Sequence, residues 1–488
     1  MTKLIELSEL IFTLSKSEKR YFSIANQGKS DSRVYMYLFQ LIERKEIEID
    51  KKFALKFPKS NIEMARKQLY CSLMKALRNY EDEKSIESKI MNGLKNSYIL
   101  WNKGAYSLAI DEIHKTKKKA LAYQNFIYCI LCDFIDLQIH AQFSYEHLEE
   151  ENIIKSKYII DENIKNVHYK ISQNILFHLL ENRFTKKGYV SSDKEKNNLN
   201  DLLLEEFKLN TNKRNEAFEA KRDHLLFQAS YFKMLSNHKA AIKVYQQINT
   251  QLFEKIDFWK NQPISFLMVI KGVLDEFYML QAFENLRESL KDLKKIETLN
   301  SNDAILKEAI QLKYNMLLCF DSRSNNELNE HLKIYEENLI NEMMALPPAI
   351  QIESLIVVSN TYFRLEKYSE SLKLIKPLLN QDFSYISVQQ KSIMRILFLM
   401  IHIELQNDDF LDYQIRNFKR MISRQKLKNE LEMVFIAFIS KYLKKENQKE
   451  SLIELSTSIE RIKENPVQLR ILVQLPLELW VMKKLKQN

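Results

Sequence analysis

Apolar residues recur at intervals of three and four along almost the whole chain, which is the periodicity of amphipathic helices. Short polar breaks interrupt this periodicity and predict where the helices end. The breaks lie at residues 26–32, 57–60, 185–198, 261–263, 321–326, 347–348, 406–409 and 444–449. We expect the longest break, 185–198, to be an exposed and mobile loop because it is rich in polar and charged residues. The pattern as a whole predicts helices and helical hairpins.

Three segments predict the same arrangement of a helix, a tight turn and a second helix. In each, a small residue allows the second helix to approach the first closely, and a large apolar residue in the first helix fills the adjacent groove. The small residues are Ala109, Ala241 and Ser371, and the large residues are Leu100, Phe232 and Tyr362. The segments resemble junctions of tetratricopeptide repeats, although only Gly104 provides the usual turn glycine and all three lack the closing proline. They predict tetratricopeptide-like hairpins and leave the boundaries of individual repeats open.

The chain has only five glycines and seven prolines among its 488 residues. Parallel sheets, barrels, β-hairpins and phosphate-binding loops need glycine at turns with positive φ, so these architectures are disfavoured. Hydrophobic residues make up 45% of the chain and charged residues 28%, which provides material for a core and argues against disorder. We therefore predict an all-α protein, a tetratricopeptide-like right-handed α-solenoid with a small helical amino-terminal domain.

The first 88 residues differ from the rest because they predict four shorter helices without the repeat register. We therefore predict a helical amino-terminal domain at 1–88 and the solenoid at 89–488. The stretches TLSKSEKRYF, VYMYLFQLIE and ARKQLYCSLMKALRNY resemble the start of an uncharacterised family of bacterial tetratricopeptide-like helical-repeat proteins. The stretches IRNFKRMISRQK and VFIAFISKYL resemble the carboxy-terminal helices of the same family. This resemblance implies a helical-repeat architecture and brings no established activity or catalytic residue.

The helix predicted at 61–80 presents a basic face. Lys67, Lys75 and Arg78 lie opposite its apolar residues, and a short helix and a turn precede it. This order matches a helix-turn-helix, so the three cations are candidate nucleic-acid-binding residues. We favour a solvated amphipathic helix instead, because recognition helices carry base-reading side chains near their start and only Asn61 is available here. The net charge of +10 adds little, since an AT-rich genome also produces a lysine-rich chain.

A second basic stripe occupies positions i, i+3, i+4 and i+8 of a helix predicted near the carboxy terminus. It consists of Arg416, Lys419, Arg420 and Arg424. These side chains are a candidate partner-binding stripe. We favour a solvated face with extended aliphatic stems, because the interleaved aromatic residues that bind single-stranded nucleic acid are absent.

A set of metal-binding residue types lies on one side of a helix predicted at 120–149. The set consists of Cys129, Cys132, Asp136, His140 and His147. Zinc requires four converging ligands and one straight helix supplies three at most, so we interpret this side as a polar face with incidental thiols and predict no metal site. The sequence shows no signal peptide or membrane span, and four unpaired cysteines are typical of a reducing compartment. We therefore expect a cytoplasmic protein that does not contact a membrane.

Motifs of the common catalytic and nucleotide-binding folds are absent from the chain. The sequence therefore predicts a protein without enzymatic activity or cofactor. A solenoid of helical hairpins offers a groove to extended or helical segments, so we expect a scaffold or adaptor with a protein or peptide partner. The less favoured alternative is a regulator that binds nucleic acid through its amino-terminal helices and senses a peptide with its repeats. A thiol or metal function at Cys129 and Cys132 is the weakest interpretation.

Overall fold

The structure is a computed structural model that describes residues 4–26, 32–82, 85–142, 144–145, 148–190, 192–211, 217–256, 263–322, 324–340, 342–343, 346–380, 386–423, 429–444 and 447–487. Regular secondary structure in these ranges is helical, and they contain no strand. The all-α prediction is confirmed. None of the helices in these ranges combines the length and the apolar character needed to span a bilayer.

Helices α1 to α11 cover the chain up to residue 211. They are α1 (Leu4–Thr13), α2 (Lys16–Ala25), α3 (Ser32–Glu43), α4 (Ile49–Lys56), α5 (Ile62–Glu81), α6 (Ile86–Asn102), α7 (Tyr106–Ala122), α8 (Phe126–Gln142), α9 (Glu150–Lys187), α10 (Asp193–Asn197) and α11 (Asn200–Thr211). Several begin at a side chain that accepts from the first backbone N–H groups, as Ser15 does for α2 and Asn61 for α5.

Helices α12 to α25 complete the chain. They are α12 (Phe218–Met234), α13 (His238–Glu254), α14 (Pro263–Met279), α15 (Phe283–Lys295), α16 (Ser301–Ser322), α17 (Asn325–Ile334), α18 (Pro348–Arg364), α19 (Tyr368–Asn380), α20 (Val388–Glu404), α21 (Asp408–Ser423), α22 (Glu430–Tyr442), α23 (Gln448–Ile462), α24 (Pro466–Leu472) and α25 (Leu477–Gln487). A short π-helical turn, Tyr335–Leu339, follows α17. Proline opens α14, α18 and α24, where its missing N–H removes no helical hydrogen bond.

Six pairs of helices in the described chain share one kind of link, which has three residues with the middle one in the left-handed region. The pairs are α6–α7, α7–α8, α12–α13, α14–α15, α18–α19 and α20–α21. The middle residues are Gly104, Gln124, Ser236, Gln281, Glu366 and Gln406, with φ values of 75°, 50°, 56°, 55°, 61° and 56°. The N–H of the next residue then bonds to the carbonyl five positions back, as from Lys367 to Tyr362 at 2.9 Å.

The three junctions that the sequence predicts, at residues 104, 236 and 366, are confirmed as tight turns between two helices. The predicted small residues Ala109, Ala241 and Ser371 are fully buried, and the helices of each pair pack against each other. Gly272 allows α14 to approach α13 closely, because a Cβ at this position would lie 2.4 Å from the ring of Tyr245. These contacts show why small residues are required at these positions.

One compact unit consists of Met1–Lys170 with the short segments Lys260–Gln262 and Thr298–Ala304. Within it, α1 to α5 enclose a hydrophobic core of their own, whose fully buried members include Leu7, Ile11, Leu38, Phe39, Ile42, Leu69 and Leu73. A separate core lies among α6, α7 and α8. The predicted domain boundary between residues 88 and 89 falls inside this unit, within helix α6, and it stays a prediction.

The other compact unit consists of Ile171–Trp259, Pro263–Glu297 and Ile305–Asn488. It has two large hydrophobic cores, one built around α12 to α18 and one around α18 to α25. The second core encloses an ion pair: Arg395 is 2% exposed and Glu432 is 1% exposed. Nη2 of Arg395 donates to Oε2 of Glu432 at 2.8 Å, and the hydroxyl of Ser392 donates to the same oxygen at 2.7 Å. The pair is therefore hydrogen-bonded as well as neutralised, as a buried charge requires.

The prediction of one continuous helix at 120–149 is wrong. Helix α7 ends at Ala122 and α8 covers Phe126–Gln142. The chain turns between them because Gln124 adopts a φ of 50°. The sequence pattern does not show this turn, since glutamine is not a residue that favours the left-handed region.

Most of the described residues of 185–198 are exposed, as predicted, but the prediction of a loop there is wrong. Residues 185–187 complete α9, and α10 occupies Asp193–Asn197. Between them, the N–H of Val190 donates to the carbonyl of Met234 at 2.9 Å, which ties the segment to the end of α12. The segment is thus held by tertiary contacts that its polar composition does not reveal.

Candidate binding cavity

The second unit contains a cavity of about 300 Å³. Side chains from α12, α14, α16, α18, α20 and α24 line it, together with the end of α9 and the residues that follow. Four of these helices, α12, α14, α18 and α20, are the first helices of the turn-linked pairs. The cavity therefore lies along the face that successive first helices share.

Two lysines and two carboxylates form a network in the cavity wall. Lys271 Nζ lies 2.8 Å from Asp275 Oδ2 and 2.9 Å from Glu353 Oε2. Lys313 Nζ lies 2.8 Å from the same oxygen of Glu353 and 3.2 Å from Asp275 Oδ1. The hydroxyl of Tyr314 donates to Asp275 Oδ1 at 2.5 Å. The network joins α14, α16 and α18 and neutralises its own four charges.

The network keeps Asp275, Glu353 and Lys271 ionised. Burial alone would raise the pKa of Asp275, but Lys271 and Lys313 outweigh it and hold that pKa well below its usual range. Burial likewise opposes the charge on Glu353, and the same two lysines lower its pKa to about 2. Burial would lower the pKa of Lys271, yet Asp275 and Glu353 raise it above the ordinary lysine value. The cavity therefore presents fixed charges over the physiological pH range.

Another part of the lining combines two aromatic rings with two cations. Phe184 and Tyr189 stand edge to face with their ring centroids 5.0 Å apart. Lys233 Nζ lies 5.7 Å from the centroid of Phe184, and Arg470 Cζ lies 4.2 Å from the centroid of Tyr189. Both distances are those of cation–π contacts. All four side chains line the cavity.

Gly188 places this aromatic pair. Its φ is 78°, and its N–H donates to the carbonyl of Phe184 at 2.7 Å, so α9 ends there in a left-handed turn. A Cβ at this position would lie 2.5 Å from the side-chain amide of Gln389 on α20. Glycine is needed for both reasons, because the turn needs positive φ and the amide packs directly against the backbone.

Uncharged polar groups complete the lining, among them Gln389, Gln390 and Gln474. The carbonyl of Gln474 accepts from Asn360 at 2.7 Å, and the neighbouring carbonyl of Val473 accepts from the hydroxyl of Tyr278 at 2.8 Å. These bonds fix the segment after α24 against α14 and α18. Side-chain amides carry the same donor and acceptor groups as a peptide backbone, so this lining suits a ligand with amide groups.

The structure exposes the predicted basic face of α5. Lys67, Lys75 and Arg78 are exposed, and the residues on the other face pack into the core of the first unit. The short helix α4 and a turn precede α5, as the pattern predicts. The side chain of Asn61 caps α5, because its oxygen accepts from the N–H of Glu63 at 2.8 Å. The assignment of the three cations to nucleic-acid binding stays a prediction.

The second predicted stripe lies on α21, where Arg416, Lys419 and Arg420 are exposed. Arg416 pairs with Asp412 at 2.5 Å on the same helix, and Lys419 donates to the hydroxyl of Ser440 at 3.0 Å. Arg424 lies outside the described residues. The stripe lies away from the cavity lining, and its role in partner binding stays a prediction.

The thiols of α8 do not lie on a polar surface, so that interpretation is wrong. Cys129 and Cys132 are buried within the hydrophobic cores of α6, α7 and α8, and Asp133 beside them pairs with Lys117. The exposed side of α8 is instead apolar, with Ile127, Leu131 and Phe134 at the surface. His147 lies outside the described residues. No group of three or more histidines, cysteines and carboxylates in the described chain is arranged to hold a metal ion.

Comparison of the chain with family models, with curated proteins and with solved structures gives no match. The resemblance to a helical-repeat family therefore stays a prediction. The cavity residues were not found from the sequence, because they come from seven separate segments between residues 181 and 474. A usable signal exists in PISFLMVIKGVLDEFYM, where Lys271 and Asp275 interrupt an otherwise largely apolar helix. Buried charges of this kind are rare unless they are paired.

Proposed function

We propose that the protein is a non-enzymatic scaffold or adaptor that binds a peptide segment of a protein partner in the cavity of its second unit. The proposal includes the predicted architecture, a tetratricopeptide-like right-handed solenoid in which first helices line the binding groove. The observation that supports it most is that the first helices of four turn-linked pairs line one polar cavity. Repeats that stack in register generate such a shared face.

The chemistry of the lining supports a peptide ligand over a purely apolar one. Its volume of about 300 Å³ is at the lower end for ligand pockets, and it is lined by charged groups, side-chain amides and aromatic rings. The amides match a peptide backbone, and the aromatic and aliphatic side chains Tyr278, Met268 and Ile350 offer surface to its side chains.

The test is selection of peptides from a random library displayed on phage, with the full chain as bait. The selected peptides are then titrated by fluorescence polarisation against wild type and against Met268→Trp, which places a bulky ring at the cavity. We expect Met268→Trp to weaken binding at least about tenfold through steric overlap. Met433→Trp is the matched control, because Met433 is 46% exposed on a helix outside the cavity lining and Met268 is 42% exposed.

The control variant should bind as wild type does. Failure to select any peptide that binds in solution would contradict the proposal. So would peptides whose affinity is the same for wild type and Met268→Trp, since these would bind at another surface.

A second function, nucleic-acid binding through α5, is favoured by one observation. Lys67, Lys75 and Arg78 share an exposed face of a helix that follows a helix and a turn. This alternative requires an affinity for duplex DNA that falls steeply with salt and is lost when the three residues are changed to glutamate. The scaffold proposal expects no such affinity in the wild-type chain.

A further inference from the structure

Two cations in the cavity, Lys233 and Arg470, donate no hydrogen bond to a carboxylate of the described residues. Lys233 makes no ion pair with any described residue, and its Nζ lies over the ring of Phe184. Arg470 is 5% exposed, and its Nη1 is buried without a hydrogen-bond acceptor among the described residues. Its closest carboxylate oxygen belongs to Glu276, at 3.8 Å, which is beyond hydrogen-bond distance. A buried guanidinium without acceptors is costly unless a ligand supplies them.

The structure holds these two cations beside one another. They rest on the adjoining rings of Phe184 and Tyr189, whose centroids are 5.0 Å apart. Cation–π contacts position a charge without neutralising it or using its N–H donors. Both groups therefore keep their donors for a ligand in the cavity.

Other charged groups of the cavity form ion pairs with one another. Lys271 and Lys313 are neutralised by Asp275 and Glu353, as described above. Oε2 of Glu276 lies 2.6 Å from Nδ1 of His238, and Oε1 of Glu276 lies 3.8 Å from Arg470. The lining as a whole holds four cations and three carboxylates, the third being Glu181, and Glu276 lies beside Arg470. Lys233 and Arg470 are the cations of this lining that donate no hydrogen bond to a carboxylate of the described residues.

We propose that Lys233 and Arg470 bind a carboxylate of the peptide ligand, either its carboxy terminus or an aspartate or glutamate side chain. This inference rests on the proposed function. A planar carboxylate matches the paired N–H groups of a guanidinium, and a second cation beside it strengthens the contact. A carboxylate supplies the acceptors that these two cations lack. A doubly charged phosphate would bring a second negative charge beside Glu276, which already faces Arg470.

The test uses small probes, so that it does not depend on the identity of the peptide. N-acetylglycylglycine, its carboxamide and inorganic phosphate are titrated against the full chain by saturation-transfer NMR. We expect the carboxylate to bind at least about tenfold more tightly than the amide or phosphate, and Lys233→Gln to remove most of this advantage. Lys233→Arg keeps the charge and should retain it. Arg461→Gln, which removes an exposed cation on α23, is the control and should bind as wild type does.

Equal binding of the carboxylate and the amide would overturn the inference, as would stronger binding of phosphate. It would also be overturned if Lys233→Gln and Arg470→Gln both fold and bind the carboxylate as wild type does. Peptides that bind in the cavity equally well after amidation and neutralisation of their acidic residues would overturn the carboxylate site and leave the proposed function standing. Peptides insensitive to Met268→Trp would overturn the proposed function, whatever the probes show.

Discussion

Lys313 and Glu353 form an ion pair, with Nζ 2.8 Å from Oε2, in the wall of a cavity. Lys271 and Asp275 complete the same network, so that α14, α16 and α18 are joined by charges as well as by apolar packing. Exposed ion pairs contribute little to stability, but removing one member of a partly buried network leaves its partners desolvated and unpaired. The network therefore fixes the wall against which a ligand would bind.

Glu353→Gln should change the acid sensitivity of the protein. Burial opposes the charge of Glu353, but Lys271 and Lys313 lower its pKa from 4.5 to about 2. A carboxyl whose pKa is lowered in the folded state stabilises the fold above its unfolded pKa, and the contribution disappears as the pH falls toward 2. We expect the free energy of unfolding to fall more steeply between pH 5 and pH 2 for wild type than for the variant.

Urea unfolding at a series of pH values measures this difference. The variant should also be less stable at pH 7, by about 1–3 kcal/mol, because two largely buried lysines lose the negative charge of their shared acceptor. Glu337→Gln, at an exposed pair 3.8 Å apart, is the control and should follow the wild-type profile. Parallel profiles for wild type and Glu353→Gln would show that the network does not depend on this charge.

Gly188→Ala should destabilise the protein more than Gly104→Ala does. Both glycines have positive φ, at 78° and 75°, so each substitution costs about 1 kcal/mol for a left-handed alanine. A Cβ at residue 104 meets nothing within 4 Å, whereas at residue 188 it lies 2.5 Å from the Gln389 amide. Chemical denaturation of the two variants gives the comparison. Equal losses would mean that the Gln389 contact is not required.

Gln406→Gly should stabilise the protein. Gln406 is exposed and has a φ of 56° in the link between α20 and α21, a conformation that glycine adopts without strain. We expect a gain of about 0.5–1 kcal/mol in the free energy of unfolding, since the strain removed exceeds the added chain entropy. Gln406→Ala keeps the strain and should give no comparable gain. A variant with glycine that is no more stable than the one with alanine would contradict the left-handed link.

One cysteine should react with a maleimide in the folded protein. Cys71 is exposed, whereas burial raises the pKa of Cys129 to about 11 and that of Cys132 to about 12. Burial and the neighbouring Glu327 raise the pKa of Cys319 to about 12. Since the thiolate is the reactive form, mass spectrometry after brief labelling at pH 7.5 should show one adduct, absent from Cys71→Ser. Rapid labelling of a second site would contradict the burial of the other thiols.

The sequence reveals the helices and part of their pairing because both depend on local pattern. The junctions at 104, 236 and 366 are marked by Ala109, Ala241 and Ser371, which are buried as the pattern predicts. The equivalent links at Gln124, Gln281 and Gln406 carry no such mark, because the corresponding positions hold Cys129, Leu286 and Leu411. Turn residues alone therefore reveal only some of the pairs.

The cavity is not visible in the sequence because it depends on tertiary proximity. Lys233 and Arg470 are 237 positions apart and meet on the ring pair of Phe184 and Tyr189. The basic faces on α5 and α21 are evenly spaced patterns on single helices. A solvated helix face shows the same spacing, so the pattern does not indicate binding. A charged residue within an apolar helix, such as Lys271, is the more informative signal.

The most direct test of the account is a photo-cross-link from within the cavity. The photoreactive residue p-benzoylphenylalanine is placed at position 185 in one chain and at position 457 in another, and each is irradiated with a biotinylated peptide from the phage selection. Both positions are exposed threonines on helices of the second unit, and only Thr185 lines the cavity. The account predicts a peptide adduct at position 185 and none at position 457. Adducts of equal yield at both positions, or none at position 185, would contradict it.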